Sequence, residues 1–154
     1  MFIKCKWVIL ILLIFCLSGC GSPTSKLIPK QKLDPALEKE ITQAIKEVNH
    51  NKLRKFGKPV TPLILGRVFE IGDDHSLSRD VKVSADGCNL IIDLRYINDK
   101  RAIPALIYLL EKKKYRTFRP TVAWVLGRIG DEKAVVALWK VFEEEKGYLD
   151  KGDA

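Results

Sequence analysis

The sequence predicts an all-α protein, a short α-solenoid of antiparallel helix pairs that follows a signal peptide and a flexible tether. Three observations support this prediction. Apolar residues recur at helical spacing through most of the chain. Two stretches in its second half align with each other without a gap, as the units of a helical repeat do. An apolar run near the start is too short for a membrane-spanning helix but suits a signal peptide.

The composition is that of one folded domain. The chain has 154 residues, of which 30% are charged and 47% hydrophobic, so a core of ordinary size can form. The formal net charge is +8, with 27 Lys or Arg against 19 Asp or Glu. This excess of basic residues suits an anionic partner or a membrane surface, and it is also common in proteins for which it serves solubility alone.

Residues 1–19 have the pattern of an export signal. A short cationic start precedes the apolar run Trp7–Leu17, which reads WVILILLIFCL. The run ends in Leu-Ser-Gly-Cys at residues 17–20, which resembles the lipobox of bacterial lipoproteins. The resemblance implies cleavage after Gly19 and a lipid thioether on Cys20. An ordinary secretory signal or an uncleaved anchor is the alternative.

The same resemblance implies a place in the cell envelope, with the membrane as a partner through the lipid on Cys20. Gly21 stands where an Asp would retain an enterobacterial lipoprotein in the inner membrane, so the outer membrane, facing the periplasm, is the expected location. Residues 20–33 are polar and contain two prolines, and we expect them to form a flexible tether. The lysines of this tether could meet anionic head groups or could simply be solvated.

The cysteines leave one thiol in the folded domain. Cys5 and Cys16 lie in the signal peptide and Cys20 is the lipidation site, so only Cys88 remains. One thiol cannot form an internal disulfide, and stability must therefore come from the hydrophobic core.

Two amphipathic helices are predicted before the repeat. Asp34 is a candidate N-cap, and Pro35 suits the first position of a helix. The apolar residues that follow at helical spacing are Leu37, Ile41, Ile45 and Val48. A second apolar block runs from Val60 to Ile71, and Gly72 is expected to end the helix there.

Residues 90–106 align with residues 122–138 at an offset of 32. The matched positions of like residue type include Leu94 with Leu126, Ile97 with Ile129, Ala102 with Ala134, Ala105 with Ala137 and Leu106 with Leu138. An internal match of this period is typical of a helical-repeat array in which each unit is a helix, a tight turn and a second helix.

The turn of each unit is predicted to be a helix corner. Asn98 and Gly130 occupy matched positions, and Asn and Gly are the residue types that best tolerate the left-handed conformation that ends a helix. Asp99 and Asp131 follow them, and each can cap the next helix by accepting hydrogen bonds from backbone N–H groups.

The second unit resembles a known repeat family. Phe118–Asp131, which reads FRPTVAWVLGRIGD, and the EKAVVAL that follows it resemble the HEAT family, in particular the short HEAT-like repeats of phycobilisome lyases. The resemblance is fair for Leu90–Leu110. It implies about three antiparallel helix pairs over residues 34–147, with the first helices on the convex side and the second helices on the concave side. Residues 148–154 would form a C-terminal tail.

Gly127 and Gly130 also match the GXXG loop of KH RNA-binding domains. Only four residues carry that match, and an export signal argues against contact with cytosolic RNA. We therefore interpret the glycines as part of a helix corner and expect no nucleic-acid partner.

Residues 79–92 are open to two interpretations. Asp86 and Gly87 lie between two β-prone runs, which is a hairpin signal. The internal alignment favours a helix that begins near Ser84 or Asp86 and ends at Ile97. The apolar residues that would form one stripe of such a helix are Val81, Ala85, Cys88 and Ile92.

The sequence predicts no catalytic site, metal site or cofactor. Di-iron hydroxylases with HEAT-like repeats use His-Glu dipeptides as ligands, but here His50 precedes Asn and His75 precedes Ser. Asp73 and Asp74 beside His75 are interpreted as a solvated turn. Cys88, on the apolar stripe of a predicted helix, is expected to be a buried structural thiol.

A basic cluster follows the second helix of the first aligned unit. The candidate partner-binding residues, which comprise this cluster and one tryptophan, are Lys112, Lys113, Lys114, Arg116, Arg119 and Trp139. Cations at a helix end complement the negative end of its dipole, which is one explanation for the cluster. The other is a site for an acidic partner beside Trp124 or Trp139.

These features together predict a membrane-anchored lipoprotein that acts as a HEAT-repeat scaffold or adaptor for a protein partner in the bacterial envelope. No small-molecule substrate is identified. The alternative is an enzyme or chromophore-attachment factor of the HEAT-like lyase type that uses Cys88. An exposed and reactive Cys88 thiol would favour this alternative, and a buried one the scaffold.

Overall fold

The computed structural model describes residues 23–74 and 76–149. Within these ranges the chain forms seven α-helices, joined by short 3₁₀ turns, and no strand, so the predicted all-α fold is confirmed. The helices are α1 Pro35–Lys46, α2 His50–Phe56, α3 Thr61–Asp73, α4 Val81–Ile97, α5 Ile103–Glu111, α6 Arg119–Ile129 and α7 Glu132–Leu149. The predicted signal peptide and Cys20 lie outside the described residues.

The helices form three antiparallel pairs in two layers. The first helices of the pairs are α2, α4 and α6, and α4 lies between the other two. The second helices are α3, α5 and α7; α5 packs against α7 and meets α3 through the rings of Phe69 and Tyr108, whose centroids are 6.1 Å apart. The core lies between the layers, and α1 packs against α2 and α3.

Both aligned corners end their first helix in the left-handed conformation. Asn98 has φ 50° and ψ 46°, and Gly130 has φ 69° and ψ 40°. The backbone N–H of each donates to a carbonyl in the preceding turn, that of Leu94 or of Leu126. Because L side chains are strained in this region and Asn tolerates it better than most, the two residue types agree with the geometry.

Asp99 and Asp131 cap the helical turns that follow the corners. The carboxylate of Asp99 accepts the backbone N–H of Arg101 at 3.1 Å, and that of Asp131 accepts the N–H of Lys133 at 3.0 Å. Asp99 is buried and also binds the guanidinium of Arg101. Burial alone would raise the pKa of Asp99, but the side-chain and backbone hydrogen bonds from Arg101 hold this pKa below its usual value.

Residues 81–97 are helical, and the hairpin interpretation of Asp86 and Gly87 is wrong. The carboxylate of Asp80 accepts the N–H of Val83 at 3.0 Å and caps α4, which therefore begins before the expected start near Ser84. Asp86 and Gly87 lie inside the helix.

The apolar stripe predicted for α4 is also wrong. Val81 is 84% exposed, and Cys88 and Ile92 are only half-buried. The face turned to the core carries Ser84, Gly87, Leu90, Ile91, Asp93, Leu94 and Ile97. Helix α4 has this orientation about its axis because Leu90, Ile91 and Leu94 bury more apolar surface against α3 and α6 than the residues of the predicted stripe would.

Two predicted boundaries in the first part of the chain need correction. Helix α1 ends at Lys46, and Val48 lies beyond it with φ 48°. Helix α3 continues through Gly72 to Asp73, so Gly72 does not end it. An ideal Cβ on Gly72 would lie 2.5 Å from Cε1 of Tyr115. The glycine is therefore needed for the close approach of an aromatic ring, not for a turn.

Part of the expected tether lies on the domain. Pro23–Lys26 forms a 3₁₀ turn, Thr24 is buried, and Leu27, Ile28 and Leu33 pack partly against the core. This contact follows from the apolar side chains within the otherwise polar segment. At the other end of the domain, α7 extends to Leu149, past the expected boundary at residue 147. No helix among the described residues is long and apolar enough to cross a membrane.

Candidate functional site

The last described helix, α7, presents an apolar stripe to solvent. Val135, Trp139 and Phe142 are 62%, 64% and 56% exposed, and their spacing places them on one face. The rings of Trp139 and Phe142 contact each other, with centroids 5.6 Å apart. The helix buries a neighbouring face of small and branched residues, Ala134, Ala137 and Val141. Within the described residues, no later helix pair covers the exposed stripe as α6 and α7 cover α4 and α5.

A groove of about 540 Å³ adjoins this stripe, between the start of α6 and the second half of α7. Its lining residues are Leu110, Arg116, Arg119, Pro120, Ala123, Leu138, Val141, Phe142 and Glu145. Phe142 belongs to both the groove and the stripe, so the two form one continuous apolar surface. We call this surface, made of the groove and the Val135–Trp139–Phe142 stripe, the α6–α7 surface. Exposed apolar surface of this kind marks an interaction site more often than an incidental feature.

Arg119 forms the polar end of the groove. Its Nε donates to the carbonyl of Leu110 at 3.0 Å, and its Nη1 donates to the carboxylate of Glu145. The carbonyl of Leu110 lies in the last turn of α5, where helix carbonyls have no partner in the helix itself. The Nη2 of Arg119 is buried and has no acceptor among the described residues. Arg116, on the same rim, is exposed and has no carboxylate partner there. Arg116 is therefore the residue of this rim that can bind an acceptor group of a partner.

The structure divides the predicted basic cluster. Lys114 lies away from the groove, with its Nζ 2.6 Å from Asp73, and the hydrogen bond to Asp73 raises its pKa. Lys112 lies over the ring of Tyr108, with its Nζ 5.4 Å from the centroid, and Lys113 is exposed. Of the predicted partner-binding residues, Arg116 and Arg119 line the groove, and Trp139 joins it through Phe142.

Tyr115 anchors the segment that carries these cations. Its ring is buried against Phe69 and Tyr108, and its hydroxyl donates to the Asp73 carboxylate that also binds Lys114. Burial and the bond to Asp73 raise the pKa of Tyr115 to about 12, so the hydroxyl stays protonated as a donor. The loop between α5 and α6 is therefore fixed to the end of α3, and this fixes the approach of Arg116 to the groove.

Sequence reasoning missed a buried polar cluster in the layer of first helices. The carboxylate of Asp93 has no exposure and lies 2.7 Å from Nδ1 of His50 and 2.9 Å from Nε of Arg54. The guanidinium of Arg54 also stacks on Tyr96, 3.8 Å from the ring centroid. The one available signal was that Asp93 aligns with Val125, a core position of the next unit. Among the described residues no cluster of His, Cys, Asp and Glu could hold a metal ion.

Cys88 is half-buried on α4 and packs partly against the core. None of the hydrogen bonds found among the described residues involves its thiol.

Two curated proteins share part of this sequence. An uncharacterized protein in the gldA 3' region of Geobacillus stearothermophilus is 40% identical over 58 residues, which is 38% of this chain and 27% of that protein. The epoxyqueuosine reductase of Bacillus subtilis (strain 168) is 38% identical over 58 residues, which is 38% of this chain and 15% of the reductase. The chain thus spans about a quarter or less of each relative. No solved structure matches it significantly.

The HEAT repeats family matches residues 87–154. The match covers most of α4 and all of α5, α6 and α7, which are the helices that contain both aligned units and the whole α6–α7 surface. Residues 87–154 are therefore similar to HEAT repeats, and the all-α fold of the described residues is consistent with a short α-solenoid of HEAT-like helix pairs.

Proposed function

We propose that this protein is a lipid-anchored HEAT-repeat scaffold of the bacterial cell envelope, which holds a protein partner on its α6–α7 surface. The single observation that supports binding is the exposed stripe of Val135, Trp139 and Phe142, continuous with the groove. HEAT-like repeats suit this role because a stack of helices offers a rigid, extended surface. Membrane attachment is inferred from the lipobox pattern at residues 17–20.

The chemistry of the α6–α7 surface indicates what kind of protein segment would bind it. The stripe and groove are apolar, so the partner segment should insert large apolar side chains. Arg116 and Arg119 lie at one end of the groove, and the exposed guanidinium of Arg116 has no carboxylate partner among the described residues. A carboxylate or a free backbone carbonyl of the partner could accept hydrogen bonds from Arg116. The partner is therefore best described as a protein segment that combines apolar residues with an acidic or carbonyl-rich end.

The binding proposal is tested with a photo-crosslinking residue at position 139 of the full chain in intact cells. A discrete protein adduct is expected, and Phe142→Ser should remove it. Val81→Ser is the matched control because Val81 is an exposed valine on another helix, and it should leave the adduct unchanged. With the purified partner, Trp139→Ala should weaken affinity by roughly tenfold or more, as loss of a central aromatic anchor does. Equal affinity for the parent, Trp139→Ala and Phe142→Ser proteins would contradict the proposed site.

The anchor is tested separately. Cys20→Ser is expected to release the protein from membranes or to leave its precursor unprocessed. Acyl chains contribute about 0.8 kcal/mol per buried methylene, and two or more chains make dissociation negligible. Cell fractionation together with the mass of the N-terminal peptide gives the answer. A processed Cys20→Ser protein that still sediments with membranes would exclude lipidation as the anchor.

A further inference from the structure

The corners between the two helices of each pair lie along one edge of the protein. Nη2 of Arg101, in the second corner, donates to the carbonyl of Lys58, in the first corner, at 3.4 Å. The end of α4 and the end of α6 share a cavity lined by Arg95, Asn98 and Arg128, which joins the second corner to the third. We call residues 54–60, 95–102 and 128–133 the corner edge.

The corner edge is strongly basic. It holds eight Lys or Arg against three Asp or Glu, and two of those acids are the capping residues Asp99 and Asp131. The basic residues without a carboxylate partner among the described residues are Lys55, Lys58, Arg95, Lys100, Arg128 and Lys133. All but Arg95, which is half-buried, are exposed. At the opposite edge, two of the cations are paired with acids, Lys114 with Asp73 and Arg119 with Glu145.

The fold does not require this charge. Arg95 and Arg128 lie in the last turn of their helices, where a cation complements the helix dipole. Lys58 and Lys100 lie in the 3₁₀ turns that lead into α3 and α5, and Lys133 lies in the first turn of α7, where the positive end of the dipole disfavours a cation. The helix dipoles therefore do not explain these three lysines, whereas an anionic ligand outside the fold would.

The chain also enters the domain at this edge. Residues 26–30 line a cavity together with Arg101 and Pro104, and Gln31 accepts a hydrogen bond from Arg101 at 3.2 Å. Lys26 and Lys30 add to the positive charge. Cys20 precedes Lys26 by six residues, which span at most ~20 Å at about 3.5 Å per residue. A lipid on Cys20 would therefore hold the corner edge near the membrane surface.

We infer that the corner edge is a membrane-facing surface that binds anionic lipid head groups. The inference rests on the proposed membrane attachment for its geometry, and on the unpaired cations for its chemistry. Because the Debye length is about 8 Å at physiological ionic strength, these cations act only on a surface that lies close to them. The groove is lined by the start of α6 and the corner edge contains its end, so this orientation turns the groove away from the membrane.

The test uses the full chain reconstituted in vesicles of phosphatidylcholine, with and without phosphatidylglycerol. A membrane-impermeant reagent acetylates exposed lysines, and mass spectrometry quantifies each site. In the anionic vesicles, labelling of Lys58, Lys100 and Lys133 should fall by roughly threefold or more relative to the neutral vesicles. Labelling of Lys82 and Lys113, which lie near the opposite edge, should not change. NaCl at about 0.5 M should abolish the difference.

Matched charge reversals make the result specific. Lys100→Glu/Lys133→Glu should remove the protection of Lys58, whereas Lys82→Glu/Lys113→Glu should leave it intact; all four lysines are exposed and unpaired among the described residues. Equal labelling of Lys58 in the two kinds of vesicle would overturn the inference. Retention of the protein by neutral vesicles reports the anchor separately. If the anchor fails, the same labelling ratio with added anionic vesicles still decides whether the edge binds them.

Discussion

Alanine at Gly72 or at Gly87 is expected to destabilise the protein by about 2 kcal/mol, although alanine is the better helix former. Both glycines lie inside helices, where a change to alanine normally stabilises by about 1 kcal/mol. Here the added methyl group would overlap a buried ring. It would lie 2.5 Å from Cε1 of Tyr115 at position 72, and 2.8 Å from Cε1 of Phe118 at position 87. Overpacking of this kind costs ~1–3 kcal/mol or more beyond the gain in propensity.

The two rings have little room to move. Tyr115 and Phe118 are each 1% exposed, and both belong to the 3₁₀ segment between α5 and α6. They reach across to α3 and α4 and occupy the space that a side chain at position 72 or 87 would need. The hydroxyl of Tyr115 is also held by Asp73, so its ring cannot retreat without losing a hydrogen bond.

The matched controls are Gly66→Ala and Gly127→Ala. Both glycines are helical, and an added Cβ would meet nothing within 4 Å. These variants should be neutral or more stable by up to about 1 kcal/mol. Thermal and urea denaturation followed by circular dichroism measure all four. A stabilised Gly72→Ala or Gly87→Ala protein would show that the rings are not packed as described.

The second prediction is that the two sides of the buried ion pair between Arg54 and Asp93 differ in how much their replacement destabilises the protein. Arg54→Ala should destabilise the protein by about 2–3 kcal/mol at neutral pH. It leaves a carboxylate with no exposure and, among the described residues, only His50 as a charged or polar side-chain partner. Breaking one side of a buried pair costs ~3–5 kcal/mol, and the partial exposure of Arg54 places this pair below that range.

Asp93→Val should cost less than about 1 kcal/mol, because it removes the buried charge itself. The side chains of Arg54 and His50 are 36% and 39% exposed, so water can hydrate both after the change. Valine already occupies the aligned position, Val125, with no exposure. Urea denaturation of the two variants compares them directly. An Asp93→Val protein as unstable as Arg54→Ala would mean that the polar cluster, not the charge alone, holds α2 on α4.

Much of the site could not be predicted from the sequence, because it depends on contacts between residues that are far apart in the chain. In the sequence, the candidate cations between residues 112 and 119 form one run, but the structure separates them by their partners. Lys114 lies beside Asp73, which is far from it in the chain, whereas Arg116 and Arg119 lie beside α7. The exposed stripe of α7 was not predicted either. A stripe of valine and aromatic residues at helical spacing reads as a core face until the neighbouring helices are in place.

The corners could be predicted from the sequence because they depend on interactions between neighbouring residues. A left-handed residue followed by a capping Asp needs only four or five neighbouring residues, and Asn98–Asp99 and Gly130–Asp131 have this geometry. The internal alignment extends the same local information over two units and thereby predicts the all-α repeat fold. By itself, therefore, the sequence determined the class of fold, the repeat and the positions of its turns.

Only the tertiary structure decided which face α4 buries and what surrounds each glycine. Gly72, Gly87 and Gly127 looked alike as breakers of regular structure, yet all three lie inside helices. Gly72 and Gly87 leave space for the rings of Tyr115 and Phe118, whereas a Cβ on Gly127 would have no atom within 4 Å. Contacts of this kind depend on the distance between surfaces that the chain brings together only after folding. Short-range preferences of the backbone carry no information about that distance.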